Sequence, residues 1–347
     1  MIELYRKIFA AVLVVIVVLG CFSACSNGGK TDETTTVSSG EQTSSSGENE
    51  RVKINVGCIA GPTGVGMASL MNLGEENKTS NEYTFSVVSS PDEIVSKFAN
   101  GEIDIASVPT NLAAKLNAKL GGNVRILAIN TGCVLYIAEK GETVNSVADL
   151  KGKTIWSTGE GANPEYVLRS VLSANGIDPD KDVTIRFVVE NTELVAKLAG
   201  DEAEIALVPE PFLTTACAKV EGLRSALSIG DIWSDMGKNG NVYMGCVIAK
   251  ADFVEKNKAA VDTFLEEYRA SIEATSSDVK TVAELCEKYK IIASAAVAEK
   301  AIPKCAIVFI PGAECETALS DYFNALFELD PTSVGGAVPE SGFYYAG

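Results

Sequence analysis

The sequence contains no histidine among its 347 residues. Without an imidazole, the chain cannot build a Ser-His-Asp or Cys-His nucleophile, use histidine as a general acid or base, or bind zinc through histidine. Close Cys-x-x-Cys pairs are also absent, and the seven cysteines after Cys25 are scattered, as is typical of small buried residues. We therefore expect no catalytic residue, no metal site and no cofactor.

Positive charge is scarce. The chain has 29 lysines and arginines against 46 aspartates and glutamates, a net charge of -17, and no basic block follows the first segment. Binding to nucleic acid depends on clustered positive charge that neutralises phosphates. Nucleic acid is therefore not an expected partner, and we interpret the excess of acidic residues as a sign of solubility and of repulsion from anionic surfaces.

The apolar run near the start of the chain is too short to span a membrane. Arg6 and Lys7 precede an apolar stretch over residues 8–19, whereas a spanning helix needs about 20 apolar residues. A short apolar stretch that follows positively charged residues is typical of a secretory signal peptide. Cys21 and Cys25 both follow sequences that resemble the lipobox of bacterial lipoproteins. We expect a signal peptide over 1–24, lipidation at Cys25 with Cys21 as the alternative, and an extracytoplasmic, lipid-anchored protein.

Residues 25–51 are rich in Ser, Thr, Gly and Glu and contain almost no large apolar side chain. Such a segment cannot bury enough surface to offset the entropy lost on ordering, so it predicts a disordered tether. The remaining stretch of about 300 residues exceeds one typical core and suggests two domains.

An internal repeat appears when each residue is compared with the residue 100 positions later. Residues 93–109 align without a gap with residues 193–209, and nine of the 17 positions are identical. Each half therefore predicts its own α/β unit. The strands are expected near 52–58, 84–89, 103–107 and 124–129, and again near 153–157, 183–189, 204–208 and 224–228. The helices are expected near 63–74, 91–100, 110–119, 163–175, 192–199 and 211–219.

Strands that alternate with helices favour mainly parallel sheets, whose ligands bind beyond the carboxyl ends of the strands. Beyond residue 247 the pattern becomes helical, near 258–275, 279–289, 293–300 and 316–327, and we interpret these helices as covering the first unit. The chain would then cross between two lobes near 130–132 and near 243–246. This gives one lobe of residues 52–130 plus 247–347 and a second lobe of residues 131–246.

Several short motifs occur in a recognisable order: Gly61-Pro62-Thr63-Gly64, then residues 104–111, 149–155 and 209–212, and finally Gly335-Gly336 with residues 343–345. Together they resemble the nitrate, sulfonate and taurine branch of ABC-transporter substrate-binding proteins, which also includes binders of the thiamine pyrimidine precursor. The resemblance implies a type II periplasmic-binding-protein fold, hinged by two crossovers and closing on a small solute. It also implies an ABC permease and ATPase as partners, and we expect a monomer.

The candidate solute-binding residues lie where strands meet helix starts, because the first amide N–H groups of a helix are unsatisfied and suit polar or anionic acceptors. They are Thr63, Gly64, Pro109, Thr110, Asn111, Ser157, Thr158, Gly159, Gly161, Ala162, Asn163 and Glu210. Each also has a purely structural interpretation, as a turn glycine, a helix cap or a first-turn carboxylate.

The identity of the solute stays open between a sulfonate, taurine, nitrate and a pyrimidine-like molecule. Glu160 and Glu165 in the second lobe's loop do not favour an anion, and no arginine lies within these loops. Trp156, Trp233 and Tyr243 could stack on a flat ring or belong to the core. An enzyme that resembles the pyrimidine synthases of this fold would call for a histidine, and a ligand-sensing surface receptor is the alternative to transport.

Overall fold

The computed structural model describes residues 51–236 and 241–347. The predicted signal peptide, both candidate lipidation cysteines and all but the last residue of the predicted tether lie outside these residues. Within the described ranges, no helix is long and apolar enough to cross a membrane.

The first repeat forms four strands, namely β1 (Lys53–Ile59), β2 (Glu82–Val88), β3 (Ile105–Pro109) and β4 (Val124–Thr131). Its helices are α1 (Pro62–Val65), α2 (Ala68–Glu75), α3 (Pro91–Asn100) and α4 (Thr110–Lys119). The start of α3 shows the local cause, because Pro91 suits a first helical position and the Ser90 Oγ accepts a hydrogen bond from the Glu93 N–H at 3.3 Å. The predicted helix over 63–74 is divided in two.

The second repeat forms β5 (Leu135–Lys140), β6 (Thr154–Ser157), β7 (Thr184–Phe187), β8 (Ile205–Pro209) and β9 (Leu223–Ser228). Its helices are α5 (Asn163–Ala174), α6 (Asn191–Ala199), α7 (Phe212–Lys219) and α8 (Ile229–Asp235). Strands β3 and β8 begin and end 100 residues apart, as the repeat predicts. Strand β5 and helix α8 were not predicted from the sequence.

The rest of the chain forms β10 (Gly245–Lys250), α9 (Ala251–Lys256), α10 (Lys258–Ser277), α11 (Val279–Lys288), α12 (Ala295–Ala301), β11 (Ile307–Pro311) and α13 (Gly312–Leu329). The helical C-terminal pattern is confirmed, but β10, α9 and β11 were missed. Both missed strands are short apolar runs, which periodicity alone cannot distinguish from buried helix.

The strands form a six-stranded sheet in the order β11-β4-β10-β3-β1-β2 and a five-stranded sheet in the order β7-β6-β8-β5-β9. The first lobe denotes the six-stranded sheet with the helices packed on it, and the second lobe the five-stranded sheet with its helices. The predicted α/β architecture with two sheets is confirmed.

Most strands of each sheet run in one direction, and each sheet also contains an antiparallel strand that the sequence did not predict. Strands β1 to β4 run in one direction, and β10 is inserted antiparallel between β3 and β4. Strands β6 to β9 also share one direction, and β5 is inserted antiparallel between β8 and β9. The two inserted strands are those by which the chain enters one sheet from the other, so neither follows the strand-helix-strand pattern that favours parallel pairing.

The two inserted strands occupy equivalent positions in the two repeats. Gly245 of β10 pairs with Pro109, and Leu135 of β5 pairs with Pro209, which lies 100 residues after Pro109. Each sheet therefore contains one strand that the chain forms directly after crossing from the other lobe. Strand β10 pairs with β3 in the same register as β5 pairs with β8. Both strand-to-helix junctions that follow Pro109 and Pro209 thus lie directly beside a crossover.

The C-terminal helices pack mainly on the first lobe. Helices α10 and α11 contact α2, and buried Phe264 and Tyr268 of α10 belong to one apolar cluster with Met71 of α2. Helix α13 contacts β4 of the first lobe and also α5 of the second. Helix α13 therefore packs against both lobes. Each large apolar side chain buried in that packing stabilises the fold by about 1.5–3 kcal/mol. The residue boundaries of the lobes stay a prediction.

Candidate functional site

The start of α1 is fixed by a buried polar network. The Ser107 hydroxyl donates to the Thr63 carbonyl at 2.6 Å, and the Asn130 Nδ2 donates to the same carbonyl at 3.2 Å and to the Ser107 Oγ at 2.7 Å. A further bond of 2.9 Å joins the Asn130 Nδ2 to the Tyr268 hydroxyl. Because Asn130 lies next to the end of β4, this network connects the Thr63 loop to the first crossover.

Two glycines allow close packing around this loop. A Cβ on Gly64 would lie 2.9 Å from the Ile59 carbonyl oxygen, and a Cβ on Gly245 would lie 2.7 Å from the Thr63 Cγ2. Both distances are shorter than an ordinary van der Waals contact. Gly64, a predicted site residue, is therefore required by space in the fold whether or not a solute contacts it.

Thr110 begins α4 and is fully buried, with Asn111 buried beside it. The Thr110 N–H donates to the Met244 carbonyl at 3.1 Å, and its hydroxyl donates to the Tyr243 carbonyl at 2.6 Å. Thr110 therefore holds the second crossover against the end of β3. This is the structural role that competes with solute contact, which stays a prediction for Pro109, Thr110 and Asn111.

The second lobe's loop runs from Ser157 to Asn163 and is organised by short-range hydrogen bonds. The Ser157 hydroxyl donates to the Thr158 carbonyl at 2.9 Å, and the Thr158 hydroxyl donates to the Asn191 Oδ1 at 3.0 Å. Gly159 and Gly161 have φ angles of 75° and 67°, a left-handed conformation that favours glycine. The Ala162 N–H donates to the Gly159 carbonyl at 3.0 Å and closes the turn before α5.

Asn163 is the first residue of α5, and only 5% of its surface is exposed. Its side-chain Oδ1 and Nδ2 are both buried without a hydrogen-bond partner among the described residues. An unpaired buried polar atom costs about 1–3 kcal/mol, so such atoms are rare without a reason. Of the predicted site residues, Asn163 therefore carries the clearest signal for a ligand.

The negative charge of Glu165, which does not favour an anionic solute, is balanced by contacts within the second lobe. Its Oε2 accepts from the Gly161 N–H at 2.8 Å, and its Oε1 accepts from the Arg169 Nε at 2.7 Å. The Arg169 Nη1 also contacts Asp180 at 2.8 Å. The sequence did contain this signal, because Glu165 and Arg169 have the four-residue spacing of a helical ion pair.

Glu210 is fully buried at the junction between β8 and α7. Its two carboxylate oxygens accept hydrogen bonds from Thr214, at 3.1 Å from the N–H and at 3.0 Å from the hydroxyl. Burial raises the pKa of Glu210, while the Thr214 bonds and the charge of Lys304 act in the opposite direction. The carboxylate thus already bonds to the start of α7, and its contact with a solute stays a prediction.

Tyr322 of α13 was not predicted as a site residue, although it lies between elements of both lobes. Its ring contacts the Trp233 ring edge-on, with centroids 6.3 Å apart. Burial raises the pKa of Tyr322 and the neighbouring Cys133 raises it further, whereas the Thr110 hydroxyl lowers it. Sequence reasoning missed Tyr322 because an aromatic residue on an amphipathic helix is usually part of the core.

The aromatic residues considered for stacking have different environments. Trp233 is buried in the core that both lobes share. Arg186 and Lys197 lie over the Trp156 ring, at 5.5 Å and 5.0 Å from its centroid. Trp156 therefore already holds two cations against its ring, an arrangement that contributes about 0.5–1 kcal/mol each at exposed sites.

The described cysteines are free, and all but Cys133 and Cys217 are buried. Burial raises the pKa of the Cys58 and Cys286 thiols to about 12, so both remain protonated and unreactive at neutral pH. Within the described part of the chain, no group of three acidic or cysteine side chains could hold a metal ion.

The structure therefore brings Thr63, Gly64, Pro109 and Thr110 together around residues 243–245, and it keeps residues 157–163 in one loop at the start of α5. Two α/β lobes that exchange one strand each, with helix starts beside both crossovers, define the type II class of periplasmic binding proteins. Residues 47–287 match the NMT1-like family, and the chain belongs to this family.

Solved structures with the same fold are distant in sequence. An ABC transporter protein from Parabacteroides distasonis is 22% identical, with a TM-score of 0.71, and the match covers 85% of this chain and 98% of that one. The periplasmic aliphatic sulphonate binding protein of Escherichia coli is 16% identical, with a TM-score of 0.66 and coverage of 84% and 92%. The periplasmic nitrate-binding protein of Synechocystis is 18% identical, with a TM-score of 0.52 and coverage of 74% and 69%. No curated protein sequence matches the chain.

Proposed function

We propose that the protein is an extracytoplasmic solute-binding protein that closes its two lobes on a small polar solute and delivers it to an ABC permease and ATPase. The observation that carries this proposal is the buried Asn163, whose unpaired side chain lies at a helix start beside the shared core of both lobes. Family membership and the fold of sulphonate-binding and nitrate-binding neighbours support the same conclusion.

Closure would bend the chain at the two crossovers. The Met244 N–H donates to the Thr131 carbonyl at 2.9 Å, and the Gly132 N–H donates to the Ala306 carbonyl at 2.8 Å. The first bond joins the two crossovers to each other, and the second joins the first crossover to the segment before β11. A hinge needs only a few such residues to change their dihedral angles, so neither sheet has to unfold. We therefore place the moving units at residues 52–130 plus 247–347 and at residues 131–246.

The solute class proposed here is the one that the sequence left open: a sulfonate, taurine, nitrate or a pyrimidine-like molecule. The contacts would come from the helix starts at Thr63, Thr110, Ser157 to Asn163 and Glu210. We further propose that the protein binds without catalysis, since the chain has no histidine, and that it acts as a monomer. Its membrane anchor would be an acylated Cys25, or Cys21 in its place.

A thermal-shift screen tests the binding role. Taurine, ethanesulfonate, nitrate and cytosine are each added to the purified protein, because a ligand that binds only the folded state raises its stability by RT ln(1 + [L]/Kd). We expect at least one of these solute classes to raise the melting temperature and to titrate one-to-one in calorimetry. Turnover of a solute, or the absence of any shift across an extended set of each class, would contradict the proposal.

The anchor is tested separately. Replacing Cys21 and Cys25 together by serine should move the protein from the membrane fraction to the soluble fraction. Each single replacement shows which cysteine is acylated. A double variant that still sediments with membranes would show that lipidation does not hold this protein.

A further inference from the structure

Asn130 lies near the end of β4, where the chain first crosses between the lobes, and only 1% of its surface is exposed. Its Oδ1 accepts from the Thr131 hydroxyl at 2.9 Å. Its Nδ2 faces three oxygens, on Ser107, Tyr268 and Thr63, at 2.7, 2.9 and 3.2 Å. The Thr63 oxygen is a carbonyl, which only accepts, so the orientation of the amide is fixed. Two amide hydrogens serve three acceptors, and none is left for a solute.

The Thr63 carbonyl is held from two directions. The Ser107 hydroxyl donates to it at 2.6 Å from β3, and the Asn130 Nδ2 donates to it from β4. Ser107 and Asn130 are both buried, so water does not compete for these bonds. The two side chains therefore fix the Thr63 loop (residues 61–66), which carries the predicted solute contacts of the first lobe before β2.

The second crossover packs against the same amide. Gly245, the first residue of β10, pairs with Thr131 in the sheet. A Cβ on Gly245 would lie 2.7 Å from the Asn130 Oδ1 and 2.7 Å from the Thr63 Cγ2. The Gly245 backbone is therefore packed directly on both groups. Asn130 thus contacts the Thr63 loop and the two crossovers at once.

Among the described residues, the second lobe has no equivalent of this amide and hydroxyl pair. Leu207 stands 100 residues after Ser107, and Gly230 stands 100 residues after Asn130. Leucine is apolar and glycine lacks a side chain, so neither can hold a carbonyl oxygen. The loop over 157–163 is instead held by hydrogen bonds within its own lobe. The two lobes therefore support their predicted solute loops in different ways.

We propose that Asn130 is a positioning residue of the solute site, which fixes the Thr63 loop to both crossovers without contacting the solute itself. This inference rests on the proposed solute-binding function and adds to it a residue that supports the site from behind. The loop of the first lobe keeps one orientation relative to the crossovers before the solute arrives. Such preorganisation strengthens binding because less freedom is lost when the solute binds.

Hydrogen exchange of the solute-free protein, followed by mass spectrometry, tests this connection. Asn130→Ala removes every hydrogen bond of the amide. Asn81→Ala is the matched control, because the buried Asn81 Nδ2 also donates to two oxygens of the first lobe, both at 3.0 Å. We expect Asn130→Ala to accelerate exchange by about threefold to tenfold over residues 61–66 and 243–246 together. Asn81→Ala should accelerate it in neither segment.

Ser107→Ala is a milder variant that applies even if Asn130→Ala does not fold. It removes the 2.6 Å bond to the Thr63 carbonyl and only one buried oxygen. Ser333→Ala is its control, since the buried Ser333 hydroxyl donates to the Leu326 carbonyl at 3.1 Å. We expect Ser107→Ala to accelerate exchange in the Thr63 loop and Ser333→Ala to leave that loop unchanged.

Three exchange results would overturn the inference. Unchanged exchange of the Thr63 loop in both Asn130→Ala and Ser107→Ala would show that these side chains do not hold it. Acceleration of the loop without acceleration over residues 243–246 in Asn130→Ala would separate the amide from the second crossover. Uniform acceleration over the whole chain in both variants would assign the bonds to general stability.

Calorimetry with taurine, ethanesulfonate, nitrate and cytosine as probes connects the residue to binding. We expect a probe that binds the original protein to bind Asn130→Ala about tenfold or more weakly, and Asn81→Ala within about twofold. Equal affinity of Asn130→Ala and the original protein would overturn the positioning role while supporting the solute-binding function. If none of the probes binds, the proposed function loses support, and the exchange comparison alone decides on Asn130.

Discussion

The Tyr166 hydroxyl donates a 2.8 Å hydrogen bond to the Asp330 Oδ2, which joins α5 of the second lobe to the segment that follows α13. Burial and this hydrogen bond raise the pKa of Tyr166 to about 12. The bonds from Tyr166 and Thr332 lower the pKa of Asp330. The donor is therefore protonated and the acceptor ionised at neutral pH, so the pair links the lobes throughout the physiological range.

Tyr166→Phe should weaken the contact between α5 and the segment after α13, because it removes this bond and leaves the ring in place. We expect a lower melting temperature and a larger radius of gyration by small-angle X-ray scattering. Tyr345→Phe is the control, since the bond between Tyr345 and Asp262 lies within the first lobe. It should lower the melting temperature without enlarging the particle. Equal radii for both variants and the original protein would show that the Tyr166 bond does not hold the two lobes together.

Glu139 in β5 should stabilise the protein through an ionised carboxylate. Its side chain is 2% exposed and accepts from Thr143, Val144 and the Arg224 Nη2 at 2.6 Å. Burial alone would raise its pKa, but the hydrogen bonds prevail and lower it. Glu139→Gln should cost about 2 kcal/mol in urea unfolding at about pH 7.

The pH dependence of that loss checks its cause. A carboxylate with a lowered pKa in the folded state stabilises the protein above its unfolded pKa, and this stabilisation disappears as the pH falls through the folded value. The difference between the original protein and Glu139→Gln should therefore shrink as the pH is lowered below about 4. A constant difference across this range would assign the effect to packing.

Glu210 should show the opposite pH dependence. Burial raises its folded pKa, so its contribution to stability is fully present below the unfolded pKa and is lost as the pH rises through the folded pKa. Glu210→Gln keeps an oxygen for the Thr214 N–H and cannot ionise. The stability of this variant relative to the original protein should therefore increase between about pH 4 and pH 7, as measured by urea unfolding. A flat difference would show that Lys304 and Thr214 fully compensate the buried charge.

Gly245 should not tolerate a side chain at the second crossover. A Cβ there would lie 2.7 Å from the Asn130 Oδ1 and 2.8 Å from the Thr131 Cβ. Gly245→Ala should therefore destabilise the protein by about 1–3 kcal/mol in urea unfolding. Gly342→Ala is the control, because nothing lies within 4 Å of a Cβ at Gly342. Equal stability of the two variants would show that the residues around Gly245 can shift to make room for a Cβ at little cost in free energy.

The repeat in the amino-acid sequence was sufficient to predict most of the α/β elements. Residues 93–109 and 193–209 combine helical periodicity with a short apolar run that ends at proline, and both patterns depend on neighbours close in the chain. The structure accordingly places β3 and β8 at equivalent positions, each followed by a helix. The motifs that carried the family resemblance are local in the same sense, and the family is confirmed.

Local sequence alone determined the repeat, the helix starts and the absence of histidine chemistry, whereas the tertiary structure decided what each start contacts. The antiparallel insertion of β5 and β10 depends on pairing with β8 and β3, far away in the chain, and periodicity does not report the direction of a partner strand. Likewise, Thr110 finds its partner at Tyr243, while Asn163 finds none among the described residues. Hydrogen bonding of a buried side chain depends on distant segments brought together by folding, and for that reason only the structure could distinguish the two residues.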